Sequence, residues 1–562
     1  MPETGVAHAP AALPALYYLR NFEALWQVVE ARYVDLLQPQ ELAQMRRFEA
    51  LTEPARCLFV RLALRRGPEF RVGRLQYAEI GDIDPPLAAL VASDLAGDCD
   101  TLDIDTLGRL FTRAEIRQCY AAELAGLSLL NKPALLAAVA ALGEVDSARA
   151  QRLCAGLGER LIRVNGVDTL QLLQLLFFGN SRQSLVDFVL SDLGVATYWP
   201  YTLSREQRVF ASRDALDAYR YVDSLCERHA EWQERRDAEE LAGLAGAALA
   251  MDSSGDVVAR RAHRLRNRIA RDCERAGLLD TALELYARSE QHPARERRLR
   301  VLEAQGAARE ALAFATAVLA APWCEAEQAA VSTIHQRLLR RVHGKRIARS
   351  RNRFITRTML LPEVPGSVER AAARALQEEG WAQADHVENR LFNGLFGLAF
   401  WDELFAPVPG AFHHPFQAGP ADMFSSGFAA RRQQALERRL QQLAACDLET
   451  ELLQAYERCA GYQCRWVDWR AITPALLQRA MRCIPFRHLV AVWRRLLFDP
   501  RDNRRGQPDL VVLGEAAGEY QLWEVKGPGD ALQPHQRRWL NYLCQAGAPA
   551  GVLKVVWTGG VD

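Results

Sequence analysis

Three residues near the C-terminal end have the types and spacing needed for metal-assisted hydrolysis of a phosphodiester. Pro508-Asp509 opens one short apolar stretch and Glu524-Val525-Lys526 closes the next, with a glycine-containing turn over 514–518 between them. Both stretches are apolar and β-branched, which predicts the two strands of a hairpin. Residues two apart in a strand share a face, so Glu524 and Lys526 point the same way and Asp509 can face them.

Two carboxylates beside a lysine suit a hard divalent cation. Mg²⁺ and Mn²⁺ prefer oxygen ligands and keep water molecules for the reaction. Such an ion can acidify a water and polarise a phosphoryl oxygen, while Lys526 positions the nucleophile and offsets developing charge. The alternative is a surface hairpin with an ordinary Glu–Lys pair, because the Glu-x-Lys spacing alone is common. The Pro-Asp pair ahead of the first strand favours the catalytic interpretation.

The residues around this hairpin resemble a known nuclease domain. Arg504-Arg505-Gly506-x-Pro508-Asp509, followed by Glu524-Val525-Lys526-Gly527-Pro528-x-Asp530, is similar to the VRR-NUC domain, a branch of the PD-(D/E)XK nucleases. Four further segments continue the resemblance, at 388–401, 415–417, 532–540 and 551–557. The combined pattern resembles the Fanconi-associated nuclease family, in a short bacterial-type form.

The helical patterns of the chain and this resemblance together predict a multidomain, mainly α protein. The predicted order is a helical N-terminal domain (1–72), a SAP-like DNA-binding domain (73–165), a helical TPR-like domain (166–371) and an α/β PD-(D/E)XK nuclease domain of the VRR-NUC type (372–562). A faint repeat of about 29 residues, between 276–283 and 305–312, supports the TPR-like interpretation; an irregular helical bundle is the alternative.

The resemblance implies a divalent-metal-dependent DNA nuclease. Its substrate would be branched or 5′-flap DNA, with 5′→3′ exonuclease activity and a role in the repair of DNA interstrand crosslinks. Two alternatives stay open. One is a phage-type or restriction-like nuclease that cuts other branched DNA, and the other is a non-catalytic scaffold that binds DNA junctions.

The resemblance also implies roles for individual residues. Glu388, Asp509, Glu524 and the backbone carbonyl of Val525 would hold one or two Mg²⁺ or Mn²⁺ ions, and Lys526 would orient or activate the attacking water. On the helix that follows the Glu-x-Lys strand, Gln536 would face the site.

Glu388 falls in a stretch that predicts a long amphipathic helix over 382–405. A carboxylate on so apolar a helix needs a partner or a metal, because a buried unpaired charge is costly. The resemblance makes Glu388 the third acidic ligand. The alternative is a salt bridge to Arg390 or Arg213.

A basic run without acidic residues covers 337–357 and directly precedes the predicted nuclease domain. Such a surface would neutralise DNA phosphates, although charge runs are often solvated faces. The resemblance implies a pocket here for the 5′ end of a flap, formed by Arg341, Lys345, Arg346, Arg349, Arg351, Arg353 and Arg357. Two short helices predicted around 112–117 and 127–136 resemble a SAP module, with Arg117 and Lys132 as phosphate contacts; a plain helical hairpin is the alternative.

Composition sets further bounds. With 562 residues the chain is too long for one core, and its net charge of +1 gives no overall field that would attract DNA. The 12 cysteines form no Cys-x-x-Cys motif, so we expect reduced thiols and no zinc site, and no ubiquitin-binding zinc finger of the kind that longer family members carry. We expect no signal peptide, no membrane span and no small-molecule cofactor. The predicted location is the bacterial cytoplasm, with nucleoid association during action on DNA; protein partners cannot be read from the sequence.

Overall fold

The computed structural model describes residues 16–99, 101–121, 123, 130–143, 155–183, 185, 196–251, 255–344, 351–363 and 366–558. The chain forms two compact units, Met1–Ala196 and Thr197–Asp562. Among the described residues, no helix combines the length and the apolar character that crossing a membrane requires.

The first unit is helical, as predicted, but it also contains a small sheet. Its described helices are α1 (Tyr17–Tyr33), α2 (Pro39–Glu49), α3 (Glu53–Ala63), α4 (Asp84–Ala92), α5 (Ile104–Leu110), α6 (Arg113–Cys119), α7 (Lys132–Ala141) and α8 (Val167–Phe178). The antiparallel sheet has the order β1-β3-β2, from β1 (Glu69–Arg71), β2 (Ala96–Asp98) and β3 (Leu161–Val164). This sheet was not predicted, and its strands lie on both sides of the predicted domain boundary between residues 72 and 73.

The predicted pair of short helices around residue 120 is present as α6 and α7. Thr112 and Glu115 form a reciprocal capping box at the start of α6. The side chain of Asn131 accepts a hydrogen bond from the amide of Ala134, which caps α7, and Pro133 lies in the first turn, where its missing N–H costs nothing.

Opposite charges in the first unit pair with each other. Arg61 lies 2.5 Å from Glu79, and Arg71 bridges Glu115 at 2.8 Å and Glu159 at 2.7 Å. These arginines of the N-terminal region are therefore already paired with carboxylates of the same unit in the absence of DNA.

The second unit begins with a run of helices in which each helix packs against the next. They are α9 (Arg213–Arg235), α10 (Ala238–Ala250), α11 (Asp256–Arg275), α12 (Leu279–Ala287), α13 (Ala294–Ala304), α14 (Ala308–Ala320) and α15 (Glu325–His343). Gly277 ends α11 and Gly306 ends α13 at equivalent places in the sequence repeat. Both have φ near +80° (81° and 82°), a conformation that glycine adopts without steric cost, so the same tight turn joins both helix pairs.

The remaining elements form the nuclease part of the second unit. Its described helices are α16 (Val368–Glu378), α17 (Leu391–Ala399), α18 (Trp401–Leu404), α19 (Phe428–Arg431), α20 (Gln433–Ala445), α21 (Leu448–Cys459), α22 (Pro474–Cys483), α23 (Phe486–Phe498) and α24 (Pro534–Gln545). Its strands are β4 (Ile355–Pro362), β5 (Gln383–His386), β6 (Leu510–Leu513), β7 (Tyr520–Lys526) and β8 (Ala550–Thr558).

These five strands form one mixed sheet in the order β4-β8-β7-β6-β5. β8 is parallel to both β4 and β7, whereas β6 pairs antiparallel with β7 and β5. All four residues of β6 are buried, as an interior strand requires. Because β4 belongs to this sheet, the nuclease fold takes in residues upstream of position 372, including part of the basic run.

Side-chain alternation decides what each face of the sheet meets. Leu510, Val512, Trp523 and Val525 pack with residues of α16 on one face. The intervening residues of β6 and β7, including Leu522, pack with Trp539 and Leu540 of α24 on the other face. Glu524 and Lys526 lie two and four residues beyond Leu522, so they belong to the α24 face.

Candidate active site

The predicted hairpin is present and brings Asp509 and Glu524 together. β6 and β7 pair antiparallel with Leu510 opposite Trp523, so Asp509, one residue before β6, lies beside the end of β7. The amide of Val525 donates a 2.8 Å hydrogen bond to Asp509 Oδ2. This bond crosses the hairpin and fixes the carboxylate of Asp509 against the strand that carries Glu524.

Glu524 is completely buried, and one of its two carboxylate oxygens accepts a hydrogen bond. Its Oε1 accepts a 2.7 Å hydrogen bond from Lys526 Nζ, whose side chain is 12% exposed. Its Oε2 has no hydrogen-bond partner among the described residues. A buried carboxylate oxygen without a donor costs free energy, so this atom points to a ligand that is cationic or carries a proton.

Burial and mutual repulsion disfavour ionisation of both carboxylates. The pKa of Glu524 is raised to about 8, first by burial and then by the negative charge of Asp509, against the opposing effect of Lys526. Burial also raises the pKa of Asp509, although the Val525 amide and the Lys526 charge favour its ionised form. A divalent cation would relieve this repulsion, so the donor set fits Mg²⁺ or Mn²⁺.

The structure corrects the predicted helix around Glu388. The stretch 382–405 contains the strand β5, a turn over 388–390, and the helices α17 and α18. Glu388 lies in the turn with 55% of its side chain exposed, so it is not a buried charge on an apolar helix. The amides of Val387 and Glu388 donate to the backbone carbonyl of Asp509 at 2.9 and 3.2 Å, which holds the turn against the hairpin.

Glu388 has a neighbour that the sequence prediction missed. His386 Nε2 lies 3.7 Å from Glu388 Oε2, and one ligand atom each of His386, Glu388 and Asp509 lies within 4.8 Å of the others. The arginines considered as partners are engaged elsewhere: Arg390 donates to the backbone carbonyl of His386, and Arg213 pairs with Asp217. The sequence signal that could have identified His386 is a histidine two residues before an acidic residue, at the end of a strand.

Three amide side chains, two of them buried, hold the Glu388 turn in place. Asn389 has φ +57°, the left-handed region that asparagine tolerates better than most residues. Its Oδ1 accepts a 3.1 Å hydrogen bond from the amide of Gln507. Gln507 Nε2 in turn donates to Asn393 Oδ1 at 2.9 Å, and Asn393 Nδ2 donates to the carbonyl of Arg504 at 2.9 Å. We call Asn389, Asn393 and Gln507 the amide clamp.

Gln536 lies in the first turn of α24. Its Oε1 accepts a hydrogen bond from the amide of Gln533 at 2.9 Å as part of a capping box. The backbone of this turn lies against Gly506, where an added Cβ would stand 2.3 Å from the ring of His535. The start of α24 therefore packs against the loop that leads to Asp509, and a catalytic role for the Gln536 side chain stays a prediction.

The predicted DNA-binding residues belong to several elements of the two units. Arg117 is exposed on α6, and Lys132 is the first residue of α7. Arg341 is exposed in the last turn of α15, and Arg351 and Arg353 are exposed just before β4.

Other members of the basic run are engaged or undescribed. Arg357 pairs with Glu379, and Arg337 pairs with Glu303. Lys345, Arg346 and Arg349 lie outside the described residues.

Comparisons with known proteins identify the family of the chain. Residues 16–96 match the family model "FAN1, HTH domain", and residues 444–557 match "VRR-NUC domain". The chain is 36% identical to the Fanconi-associated nuclease 1 homolog of Pseudomonas aeruginosa, covering 98% of this chain and 97% of the relative. It is 25% identical to the Arabidopsis thaliana homolog, covering 96% and 67%.

Solved structures indicate the same family. A crystal structure of paFAN1 bound to 5′-flap DNA with a 2-nucleotide flap and a gap superposes with a TM-score of 0.81 at 33% identity, covering 98% of this chain and 100% of that one. A complex with a 1-nucleotide flap gives a TM-score of 0.77 at the same identity. The chain thus belongs to the Fanconi-associated nuclease family of metal-dependent DNA nucleases.

Proposed function

We propose that this protein cuts branched DNA at 5′ flaps, with Mg²⁺ or Mn²⁺ held by Glu388, Asp509, Glu524 and the carbonyl of Val525. The observation that carries the proposal is the buried carboxylate pair, in which Glu524 Oε2 has no donor within the part of the chain that the structure describes. The flap preference is supported by the paFAN1 complexes, which contain 5′-flap DNA. From the family resemblance, we extend the proposal to 5′→3′ exonuclease activity and to interstrand-crosslink repair.

The residues of the site divide the work of hydrolysis. A bound divalent cation supplies Lewis acidity and lowers the pKa of a coordinated water. Asp509 is oriented by the Val525 amide, and Glu524 by the Lys526 ammonium, so neither carboxylate must reorganise during the reaction. Lys526, whose Nζ lies 2.7 Å from Glu524 Oε1, would orient the attacking water and stabilise negative charge that develops on the phosphate.

One face of the sheet offers a path for the DNA strand beyond the site. Lys526 is paired in register with Lys554 of β8, and Lys554 with Thr358 of β4. Residues paired in register point to the same face, and Lys554 and Thr358 are both exposed. We assign phosphate contacts of the cut strand to this open row, and contacts of the duplex arms to Arg341, Arg351 and Arg353 in this unit and to Arg117 and Lys132 in the first.

Cleavage of a labelled 5′-flap duplex tests the proposal. With Mg²⁺ or Mn²⁺, we expect the wild type to cut near the junction and Asp509→Ala to be at least about 100-fold slower. Glu515→Gln is the matched control, because Glu515 lies in the turn of the same hairpin with an 80% exposed side chain and should not affect cutting. Equal cutting by wild type and Asp509→Ala would overturn the proposed site.

A substrate panel separates the remaining alternatives. If four-way junctions are cut and 5′ flaps are not, the protein is a branched-DNA nuclease of another specificity. If flaps are bound but no substrate is cut with either ion, the protein is a junction scaffold.

A further inference from the structure

His386 is the last residue of β5 and lies at the edge of the carboxylate site. β5 pairs antiparallel with β6, with His386 opposite Leu510, and this pairing brings the histidine next to Asp509. Its backbone carbonyl accepts a 3.1 Å hydrogen bond from Arg390, which adds to the strand pairing in fixing the end of β5. The strand pairing and this hydrogen bond therefore fix the backbone that bears the imidazole.

The spacing of the donor atoms suits a shared cation better than a simple ion pair. His386 Nε2 and Glu388 Oε2 are 3.7 Å apart, longer than a hydrogen bond, and one ligand atom each of His386, Glu388 and Asp509 lies within 4.8 Å of the others. Metal–ligand distances of about 2.1 Å place neighbouring ligand atoms about 3 Å apart and opposite ones about 4.2 Å apart. Small rotations of the His386 and Glu388 side chains would close the observed spacing onto one ion beside Asp509.

The buried carboxylate beside Asp509 also favours a bound cation. Glu524 is fully buried next to Asp509, and its Oε2 has no partner among the described residues. The exposed side of the group is formed by Glu388 and His386, whose side chains are 55% and 26% exposed. The three potential ligands therefore lie next to a buried carboxylate, and their exposed side is open to solvent.

We propose that His386 is a nitrogen ligand of the ion held by Glu388 and Asp509, and that it biases this centre toward Mn²⁺ over Mg²⁺. The inference rests on the proposed function, because it assumes the carboxylate metal site. Mg²⁺ takes oxygen ligands almost exclusively, whereas imidazole suits transition metals, and Mn²⁺ accepts both kinds of donor. Replacing one oxygen donor by imidazole therefore costs Mg²⁺ more than Mn²⁺.

Pulsed EPR of bound Mn²⁺ tests this directly, because nitrogen bound to the ion gives a hyperfine coupling. We expect that coupling in the full-length wild type and its isotopic change in protein made with ¹⁵N-histidine, a readout that needs no variant. In His386→Gln the coupling should vanish and the Kd for Mn²⁺ should rise about tenfold, as in other sites with a disturbed ligand environment. The Kd for Mg²⁺, measured by competition, should change much less.

Two control variants separate failure of this inference from failure of the proposed site. His292→Asn should behave as wild type, because His292 Nε2 also lies near one carboxylate, 3.8 Å from Glu296 Oε2, but outside this group. Asp509→Asn should lose Mn²⁺ binding. If the wild type binds Mn²⁺ through Asp509 but shows no nitrogen coupling, His386 is not a ligand and the proposed function stands. If Asp509→Asn binds Mn²⁺ as the wild type does, the carboxylate site itself is wrong.

Discussion

Glu524 is a carboxylate whose surroundings oppose its ionisation. It is buried, it neighbours Asp509, and within the described ranges only its Oε1 has a donor, Lys526. Its pKa is raised, so the folded protein holds a proton that the unfolded chain releases at lower pH. In the metal-free protein, stability is therefore lost as the pH rises from the ordinary value for glutamate through the folded value of about 8. The arrangement that lets the site bind a cation therefore lowers the stability of the metal-free protein.

Removing this charge should stabilise the protein and abolish its activity. With EDTA at pH 8, we expect Glu524→Gln to raise the Tm by at least about 2 °C, because glutamine cannot ionise. The gain should shrink toward pH 5, where the wild-type residue is also neutral. Thermal melts at the two pH values measure the effect, with Glu515→Gln as the exposed control from the same hairpin. An equal gain at both pH values would contradict the argument.

The residues of the site differ in how far the sequence could predict them. Asp509, Glu524 and Lys526 lie on one hairpin, whose geometry follows from local alternation, and the predicted hairpin is confirmed. Glu388 was predicted on a helix because the apolar pattern of α17 extends back across it. His386 was missed because its position depends on pairing with a strand more than 120 residues away in the sequence.

At the scale of elements, the loop before β6 sets where Asp509 lies. Gly506 has φ +78°, and a Cβ there would stand 2.3 Å from the His535 ring and 3.2 Å from the amide nitrogen of Gln536. Gly518, in the hairpin turn, has φ +81° with nothing within 4 Å of an added Cβ. The two glycines share the same backbone strain on substitution but differ in their surroundings.

This pair allows a matched test of the loop. Gly518→Ala should cost about 1 kcal/mol of unfolding free energy, from the left-handed backbone alone. Gly506→Ala should cost more and should also slow flap cleavage, because the new methyl group pushes the start of α24 away from the loop that carries Asp509. Denaturant melts and cleavage rates measure both effects. Equal losses of stability and unchanged cleavage in the two variants would show that the contact with α24 does not position the site.

The amide clamp joins two elements that the sequence separates by more than 100 residues. Gln507→Met keeps the size of the side chain but leaves Asn393 Oδ1 without the donor found here. We expect a loss of about 1–3 kcal/mol in stability and a fall of about 10- to 100-fold in kcat, because Glu388 would shift. KM for flap DNA should stay near the wild-type value, since the DNA contacts lie elsewhere. Gln305→Met, which changes an exposed amide in the helical region, is the control; a KM effect without a kcat effect would contradict a positioning role.

The sequence predicted element types correctly where the pattern is local, and the prediction failed where strand pairing determines the structure. The helical pairs follow from apolar periodicity and the glycine turns at Gly277 and Gly306. In contrast, β1 and β2 have three residues each, and β3, the partner of both, follows more than 60 residues later. β4, whose first three residues end the basic run, was not predicted, because its membership of the nuclease sheet depends on β8, almost 200 residues downstream.

For the molecule as a whole, DNA affinity must come from local charge. A net charge of +1 gives no long-range attraction, and many arginines are committed to carboxylates, including Arg61, Arg71 and Arg337. Arg351 and Arg353, by contrast, are exposed just before β4. The number of free arginines near the site, rather than the total, should therefore set the salt dependence of binding.

This argument predicts how binding changes with salt. Each lost phosphate contact lowers the slope of log Kd against log salt concentration by about 0.9, so Arg351→Gln with Arg353→Gln should lower it by about 1 to 2. Arg337→Gln should leave the slope unchanged, because its guanidinium is held by Glu303 at 2.7 Å. EDTA removes the metal from the site of each variant, so binding to a 5′ flap can be measured without cleavage. If the Arg337 variant lowers the slope as much as the double variant, the salt dependence reflects total charge, and the local assignment of the DNA contacts is wrong.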